Sequence, residues 1–296
     1  MLVLSVTSLV GAASAQPPAR FYFSGDGTID LYNAHFGEHL VVRYRSDDGQ
    51  YDPDALARIN RFFRSRNDGK SAPVSLRLIE LIAFVQDRYR PERLTLVSGY
   101  RSPEFNQALR AGGRRVAQAS LHTEGLAADL QPQGLDLRRL WLELRPLELG
   151  GAGLYEADGF IHLDTGRPRF WEAATSGVEK NLSAGNARVF ARTDFDRYGD
   201  LQNAVVRLHD VTELPIRVDR TARIGNQTLR IVPDGSELAV DGDCWVIRTA
   251  VDRYAFRVAT PLAPPVQRAP IRLRTCAPRV GATPREILTN PVELLR

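Results

Sequence analysis

The pattern of apolar and polar positions changes part-way along the chain. Up to about residue 174, several segments repeat apolar residues at intervals of three and four, which is typical of helices that pack on a core. Helices are predicted from Asp52 with Pro53 as first-turn residue, over residues 75–89, from Ser102 with Pro103, and over 136–144. Between them lie short strand-like runs, and residues 21–45, including 21–23 and 40–44, alternate like a hairpin. This part of the chain predicts an α+β domain with a small, mostly antiparallel sheet flanked by helices.

Beyond residue 174 the helical spacing disappears. Short alternating runs separated by turn residues replace it, which is typical of antiparallel strands. We therefore expect one domain at 20–174 and a separate β-rich domain at 175–296. For the second domain, two roles fit this pattern, because fold does not imply function: it only packs against the first domain, or it binds a polymer or a partner. The predicted strands fall at residues 205–208, 215–218, 228–231, 244–247, 254–258 and 271–274.

The first fifteen residues are apolar, uncharged and closed by Ala13, Ser14 and Ala15. A small residue on either side of a spacer is typical of signal-peptidase cleavage, so residues 1–15 are predicted to be a signal peptide and the protein to be exported, into the periplasm. The segment lacks the usual positive charge at its start, which leaves a short uncleaved anchor as the alternative. No other run approaches the length that spans a membrane.

Charge and cysteine content change this picture only slightly. The formal net charge is +4, but no basic helix or interleaved aromatic residues accompany it, so nucleic acid is not an expected partner. Cys244 and Cys276 are the two cysteines of the chain. In an exported protein such a pair suggests one disulfide, with two buried thiols as the alternative.

Candidate chemistry is concentrated in two short segments. His122 and Asp129 lie seven residues apart, and His162 follows in an alternating run that places it and Asp164 on one face of a strand. Two imidazoles and one carboxylate suit a catalytic zinc ion, because three protein ligands leave a coordination position for water. A lone histidine is more often structural, and it is the shared strand context that favours the metal interpretation here.

Several separated motifs, in this order, resemble one family of peptidases. They are SGYRS at 98–102, Asn106, the spacing Ser120, His122, Gly125 and Asp129, the glycine motif Gly150, Gly151, Gly153 with Tyr155, and FIHLDTG at 160–166 with Trp171. Together with residues 31–38 they resemble the murein endopeptidase K type of the M15 zinc peptidases, once called DUF882. The resemblance covers roughly residues 27–172, and the β-rich domain lies outside it.

The resemblance implies a hedgehog or D-Ala-D-Ala peptidase-like fold with zinc held by His122, Asp129 and His162. It also implies that Arg101 stabilises the oxyanion of the peptide being cut, although a structural ion pair is the alternative for a buried arginine. Many M15 enzymes carry a glutamate three residues before the last histidine, where this chain has Gly159. Asp164 is therefore a candidate either for the general base or for a residue that orients a ligand, and Asp158 and Glu156 are the fallback bases.

The function implied is zinc-dependent cleavage of peptide cross-links in peptidoglycan during cell-wall remodelling. Two alternatives remain: a zinc-binding module without peptidase activity, and a carboxypeptidase that trims stem peptides. The type of cross-link is not readable from the sequence. His35, His39 and His209 have no partner at metal-ligand spacing and are expected to be structural or exposed.

Overall fold

The computed structural model describes residues 20–112, 120–174, 189–202, 204–209, 214–235, 237–249, 254–260, 268–281 and 283–295. The proposed signal peptide and the proposed boundary at residue 175 lie outside these ranges. Within them, no helix is both long and apolar enough to cross a membrane.

Four α-helices, all within the N-terminal part of the described chain, match the sequence prediction closely. They are α1 (Pro53–Phe62), α2 (Leu76–Tyr89), α3 (Pro103–Ala111) and α4 (Leu137–Leu144). The start of α1 is fixed by Asp52, whose carboxylate accepts from the backbone N–H of Asp54, with Pro53 at the first helical position. The sequence prediction of these helices is confirmed.

The described N-terminal strands form one seven-stranded sheet in the order β2-β1-β3-β4-β6-β5-β7. Neighbours pair antiparallel except for β1 with β3 and β5 with β7, which are parallel. The predicted mostly antiparallel sheet is confirmed. The strands are β1 (Thr28–Asn33), β2 (Glu38–Arg43), β3 (Arg93–Ser98), β4 (Ala127–Gln133), β5 (Gly151–Tyr155), β6 (Phe160–Asp164) and β7 (Arg169–Glu172).

One face of this sheet packs against helices. Leu130 of β4 and Ile161 of β6 are buried in a single cluster with apolar residues of α1, α2 and α4, such as Ile59, Ile79 and Leu140. Because side chains alternate along a strand, Asp129 and His162 project to the opposite face. The core therefore fixes the strands from one side and leaves the other side for the site.

The hairpin at the start of the chain is shorter than the sequence predicts. Its strands are β1 and β2, whereas residues 21–23 form bends instead of a strand. Phe21 is buried and its ring lies 5.4 Å from that of Phe195 in the C-terminal part. The prediction of a strand at 21–23 is wrong because contact with the second region, not pairing, buries its aromatic side chain.

The described C-terminal strands form a ten-stranded sheet in the order β8-β10-β15-β12-β11-β16-β17-β9, with β13 and β14 attached beside β11. Asn290 of β17 accepts a hydrogen bond from the backbone N–H of Thr193 in β8 (3.0 Å), so the sheet curls back on its own core. The strands are β8 (Phe190–Thr193), β9 (Arg197–Tyr198), β10 (Val205–His209), β11 (Ile216–Ile224), β12 (Gln227–Pro233), β13 (Ala239–Asp241), β14 (Cys244–Ile247), β15 (Ala255–Val258), β16 (Ala269–Thr275) and β17 (Glu286–Leu294).

All six predicted C-terminal strands are present, and β8, β9, β13 and β17 are additional to them. Cys244 and Cys276 form a disulfide with Cα atoms 6.6 Å apart, which links the start of β14 to the end of β16. The two regions contact each other through Asp196, which is bound by Arg77 of α2 and by the backbone N–H of Tyr22.

Candidate metal site

Neighbouring strands at the centre of the first sheet carry most of the site. Asp129 lies directly opposite His162 in the pairing of β4 with β6, and Gly153 of β5 lies on the other side of His162. Because these residues are cross-strand neighbours, their side chains rise from the same face. β4 and β6 thus bring Asp129 and His162 side by side on one face of the sheet.

His122 comes from a single 3-10 turn, Leu121–Glu124, just before β4. The turn ends at Gly125, whose φ of +68° is left-handed and where a Cβ would lie 2.3 Å from the carbonyl oxygen of Pro73. Only glycine fits this position without strain, and it returns the chain directly into β4. The imidazole Nδ1 lies 2.7 Å from the carbonyl oxygen of Gly99. Since a carbonyl oxygen can only accept, Nδ1 carries the proton and Nε2 presents a lone pair.

Both ring nitrogens of His162 face carboxylates: Nε2 lies 3.0 Å from Oδ2 of Asp164, and Nδ1 lies 2.8 Å from Oδ1 of Asp129. In the tautomer whose Nε2 donates to Asp164, Nδ1 presents a lone pair. The His122 Nε2 and His162 Nδ1 atoms are 3.3 Å apart, and Oδ1 of Asp129 lies 3.3 Å from the first and 2.8 Å from the second. Three electron-pair donors thus face one another at short range.

Such an arrangement requires positive charge between the three atoms. Lone pairs of neutral imidazoles and a carboxylate repel one another unless a proton or a metal ion lies among them. Tetrahedral zinc with ligand distances near 2.0–2.1 Å would separate its ligand atoms by about 3.3–3.4 Å. Two of the three observed separations match this value, and the third is somewhat shorter. His122, Asp129 and His162 therefore form a buried group that can bind a metal ion.

The ionisation of the three residues agrees with this reading. Burial, reinforced by the nearby Arg101, lowers the pKa of His122 and keeps it neutral. Burial opposes ionisation of Asp129, but His122, His162 and Arg101 outweigh it and hold the pKa of that carboxyl well below its usual range. Burial also opposes the charging of His162, yet its hydrogen bonds to Asp129 and Asp164 raise its pKa. The three groups therefore favour a positive charge among them, which either a proton on His162 or a metal ion supplies.

Asp164 is fully buried and fully engaged. Besides the bond from His162, its Oδ1 accepts from the backbone N–H groups of Gly151 (3.0 Å) and Gly166 (2.8 Å), and its Oδ2 accepts from Arg169 (2.9 Å). Burial raises its pKa, but Arg169 and His162 outweigh this effect and lower the pKa to about 2. A general base works best with a pKa near the working pH, so these contacts favour the orienting alternative for Asp164.

Arg101 lies next to the ligand carboxylate. Its Nη2 donates to Oδ2 of Asp129 at 2.6 Å, and its Nε donates to Oγ of Ser98 at 3.0 Å. Asp129 can thus offer Oδ1 to a metal while Arg101 holds Oδ2. Among the described residues no group accepts from Nη1 of Arg101, and the side chain is about one-seventh exposed, at 14%. One edge of the guanidinium therefore fixes the carboxylate of Asp129, and Nη1 has no acceptor among the described residues.

An aromatic pair borders the histidines. The ring of Trp171 lies 5.2 Å from that of His162, and its Nε1 donates to the hydroxyl of Tyr155 at 3.2 Å. The indole passes over β5 at Gly153, where an added Cβ would lie 2.4 Å from the ring. The glycine motif noted in the sequence therefore makes room for Trp171 beside a ligand.

The two fallback bases, Asp158 and Glu156, lie outside the candidate ligand group. Glu156 forms an exposed ion pair with Arg138, and Asp158 occupies the same short turn, Glu156–Asp158. His39 pairs with Asp30, and His35 lies 3.1 Å from a guanidinium nitrogen of Arg66.

His209 also lies outside the ligand group, yet it is close to the site: its Nδ1 lies 3.0 Å from Glu124 in the turn that carries His122. The sequence analysis did not consider Arg169, and it expected His209 to be structural or exposed. A basic residue shortly after a candidate acid, and a histidine in the C-terminal region, give no sequence signal until the fold brings them close to the site.

Comparisons with known proteins find similarity to the N-terminal half of the chain. Peptidoglycan L,D-endopeptidase MepK from Escherichia coli strain K12 is 33% identical over 144 residues, which is 48% of this chain and 79% of that protein. The Haemophilus influenzae protein named probable peptidoglycan L,D-endopeptidase MepK is 28% identical over 146 residues, 49% of this chain and 78% of that protein. No solved structure matches the chain. The M15 peptidase family described as peptidoglycan L,D-endopeptidase MepK matches residues 24–171, half of the 296-residue sequence, and the chain belongs to this family.

Proposed function

We propose that this protein is a zinc-dependent peptidoglycan endopeptidase that cuts L,D peptide bonds within cross-links. The observation that carries the proposal is the set of three electron-pair donors from His122, Asp129 and His162, which face one another at 2.8–3.3 Å. Family membership adds the substrate, because the relatives are named for this activity. Peptidoglycan lies outside the cytoplasm, so the protein would act as an exported, periplasmic enzyme whose residues 1–15 are removed.

We also propose that the chain is divided into two domains. A peptidase domain at 20–174, of the hedgehog or D-Ala-D-Ala peptidase-like type, contains all three ligands and the whole of the matched segment. A β-rich domain at 175–296 follows it. The separate hydrophobic cores of the two regions support this division.

The roles of the residues follow from their contacts. Zinc bound at this site would acidify a water molecule and polarise the scissile carbonyl. Arg101 holds Asp129 in its ligating orientation and directs its remaining N–H groups toward the oxyanion of the peptide, a contribution of about 3–4 kcal/mol for a preorganised donor. Asp164 keeps His162 in the tautomer that binds metal, so we assign it an orienting role instead of the base. Trp171 packs against His162 and Tyr155, which limits motion of the ligand ring.

The test is digestion of purified, cross-linked peptidoglycan by the zinc-loaded mature protein, with products identified by mass spectrometry. We expect cross-linked dimers to be converted to monomers, and His162→Ala to abolish the conversion. His39→Ala is the matched control, because it makes the same substitution at an exposed histidine outside the ligand group, and it should retain activity.

Two other results would replace the proposal. If the stem peptides are shortened while cross-links persist, the protein is a carboxypeptidase. If one equivalent of zinc binds and the muropeptides remain intact, it is a zinc-binding module.

A further inference from the structure

The turn that carries His122 is contacted from the C-terminal region. Phe190 and His209 are paired residues at the ends of β8 and β10, and their rings stack at a centroid distance of 5.1 Å. Phe190 is buried in a small apolar cluster with Leu121, Leu126 and Ala127, separate from the two main cores. His209 contacts Glu124 at 3.0 Å. The contacts to Leu121 and Glu124 hold the turn on both sides of His122.

The second ligand-bearing segment is held by the same strand. Arg192, two residues after Phe190, donates through Nε to the carbonyl oxygen of Thr165 at 2.8 Å and through Nη2 to that of Gly166. The N–H of Gly166 donates to Asp164, and Asp164 accepts from His162. Three consecutive hydrogen-bonded contacts therefore connect β8 to a metal ligand.

The two segments are also tied to each other. The backbone N–H of Thr165 donates to the carbonyl oxygen of Leu126 at 3.0 Å. An added Cβ at Gly166 would lie 2.6 Å from the side chain of Leu121, so the loop after β6 rests against the His122 turn. A shift of either segment would be transmitted to the other.

Placing the charged side chain of Arg192 here costs desolvation free energy, which packing alone does not explain. Within the described part of the chain it has no carboxylate partner at ion-pair distance, and its guanidinium is bound to backbone carbonyl oxygens. Burial lowers its pKa to about 9, which leaves it charged at neutral pH. An apolar side chain would fill the same space without the cost of desolvating a charge. The guanidinium fixes the position of two carbonyl groups beside Asp164.

We infer that the β-rich region forms part of the support of the metal site, and that Phe190, Arg192 and His209 are positioning residues for the peptidase reaction. They act through the turn that carries His122 and through the loop that holds Asp164 against His162. All three lie outside the segment matched by the family, which ends at residue 171. This inference rests on the proposed function, because it assigns the residues to that same site.

The test uses the full-length chain with Arg192→Met, which keeps an unbranched side chain but removes the donors. Zinc affinity is measured by competition with a chromophoric chelator, thermal stability by melting, and kcat and KM on a purified cross-linked muropeptide dimer. The matched control is Arg77→Met. Arg77 joins the same two regions through Asp196 and the carbonyl oxygen of Thr193, and none of its contacts within the described residues reaches a segment that carries a candidate ligand.

We expect Arg192→Met to weaken zinc binding about 10–100-fold, the usual effect of removing an outer-shell partner. It should also lower kcat at saturating zinc, with KM changed less than about twofold, because substrate-binding groups are untouched. Arg192→Lys, which retains one donor, should recover part of the affinity. Arg77→Met should lower the melting temperature but leave zinc affinity and kcat as in the wild type. If Arg192→Met fails to fold, Arg192→Lys and His209→Gln provide the same comparison.

The outcomes separate this inference from the proposed function. If the wild type cleaves the dimer and the Arg192 and His209 variants keep zinc affinity and kcat within about twofold while melting earlier, the inference is overturned and the function stands. If the wild type binds zinc without cleaving, and Arg192→Met weakens that binding while Arg77→Met does not, the positioning role stands and the peptidase function fails.

Discussion

Replacing Asp164 by asparagine removes one charge with almost no change of shape, and the hydrogen bonds around it predict a specific failure. The carboxylate accepts from four donors, namely Nε2 of His162, the N–H groups of Gly151 and Gly166, and the guanidinium of Arg169. Asparagine offers one acceptor oxygen and one NH₂ group. If the asparagine oxygen accepts from the two backbone N–H groups, its NH₂ group faces Nε2–H of His162 and the guanidinium of Arg169. Hydrogen-bond donors then face each other without an acceptor between them.

His162 can relieve this conflict by moving its proton to Nδ1. In that tautomer Nδ1 donates to Asp129, at the 2.8 Å separation already present, and it no longer offers a lone pair to a metal. Loss of an outer-shell partner usually weakens metal binding 10–100-fold, which corresponds to about 1.4–2.7 kcal/mol. Because the mismatch is buried, we expect a loss near the upper end of this range.

The assay is zinc affinity by competition with a chromophoric chelator, followed by peptidoglycan cleavage at rising zinc concentration. Asp47→Asn makes the same chemical change at an exposed residue outside the ligand group, and it should match the wild type in both measurements. For Asp164→Asn, cleavage should recover substantially once zinc is raised above the weakened dissociation constant. If instead the variant binds zinc as tightly as the wild type and remains inactive at every concentration, the orienting role is refuted and Asp164 acts as the base.

Three further expectations concern stability. Gly153→Ala should cost about 1–3 kcal/mol in urea unfolding, because its Cβ would overlap the neighbouring indole ring, whereas Gly199→Ala, with open space around it, should cost much less. Replacing both Cys244 and Cys276 by alanine opens a loop with a sequence separation of 32 and should cost about 3–4 kcal/mol. Zinc affinity should not change, because no described contact joins either cysteine to a segment that carries a candidate ligand. Glu80→Ala leaves a buried arginine and two tyrosine hydroxyls without their shared acceptor and should cost about 3–5 kcal/mol, so a loss below about 1 kcal/mol would count against that reasoning.

Local rules predicted the elements whose signals are local. Asp52 with Pro53 marked the start of α1, and period-two alternation marked the runs that became β10, β12 and β16. β5 was recognisable only as a glycine motif, because glycine is a poor strand former and the reason for Gly153 is a tryptophan from another strand. β17 was missed because Pro291 interrupts it, a residue that normally argues against an interior strand.

The three candidate ligands could be identified from the sequence because each belongs to a contiguous motif. The surroundings of Asp164, which favour one of its two candidate roles, could not, since they involve Arg169 and two backbone N–H groups that only the folded chain brings together. The contacts of Arg192 and His209 were still harder to predict from the sequence. They join residues 26 and 85 positions apart, and these pairs follow no periodic pattern.

The two strands that present Asp129 and His162 are interior members of their sheet: β4 lies between β3 and β6, and β6 lies between β4 and β5. They are anchored from behind by an apolar core that includes no ligand. A chain built this way can complete its fold before any ion arrives, unlike small zinc modules that remain unfolded without metal. Under the proposed function, maturation would therefore separate into two stages, folding and then metal loading. The ion acquired in the second stage would depend on ligand chemistry and on local metal supply.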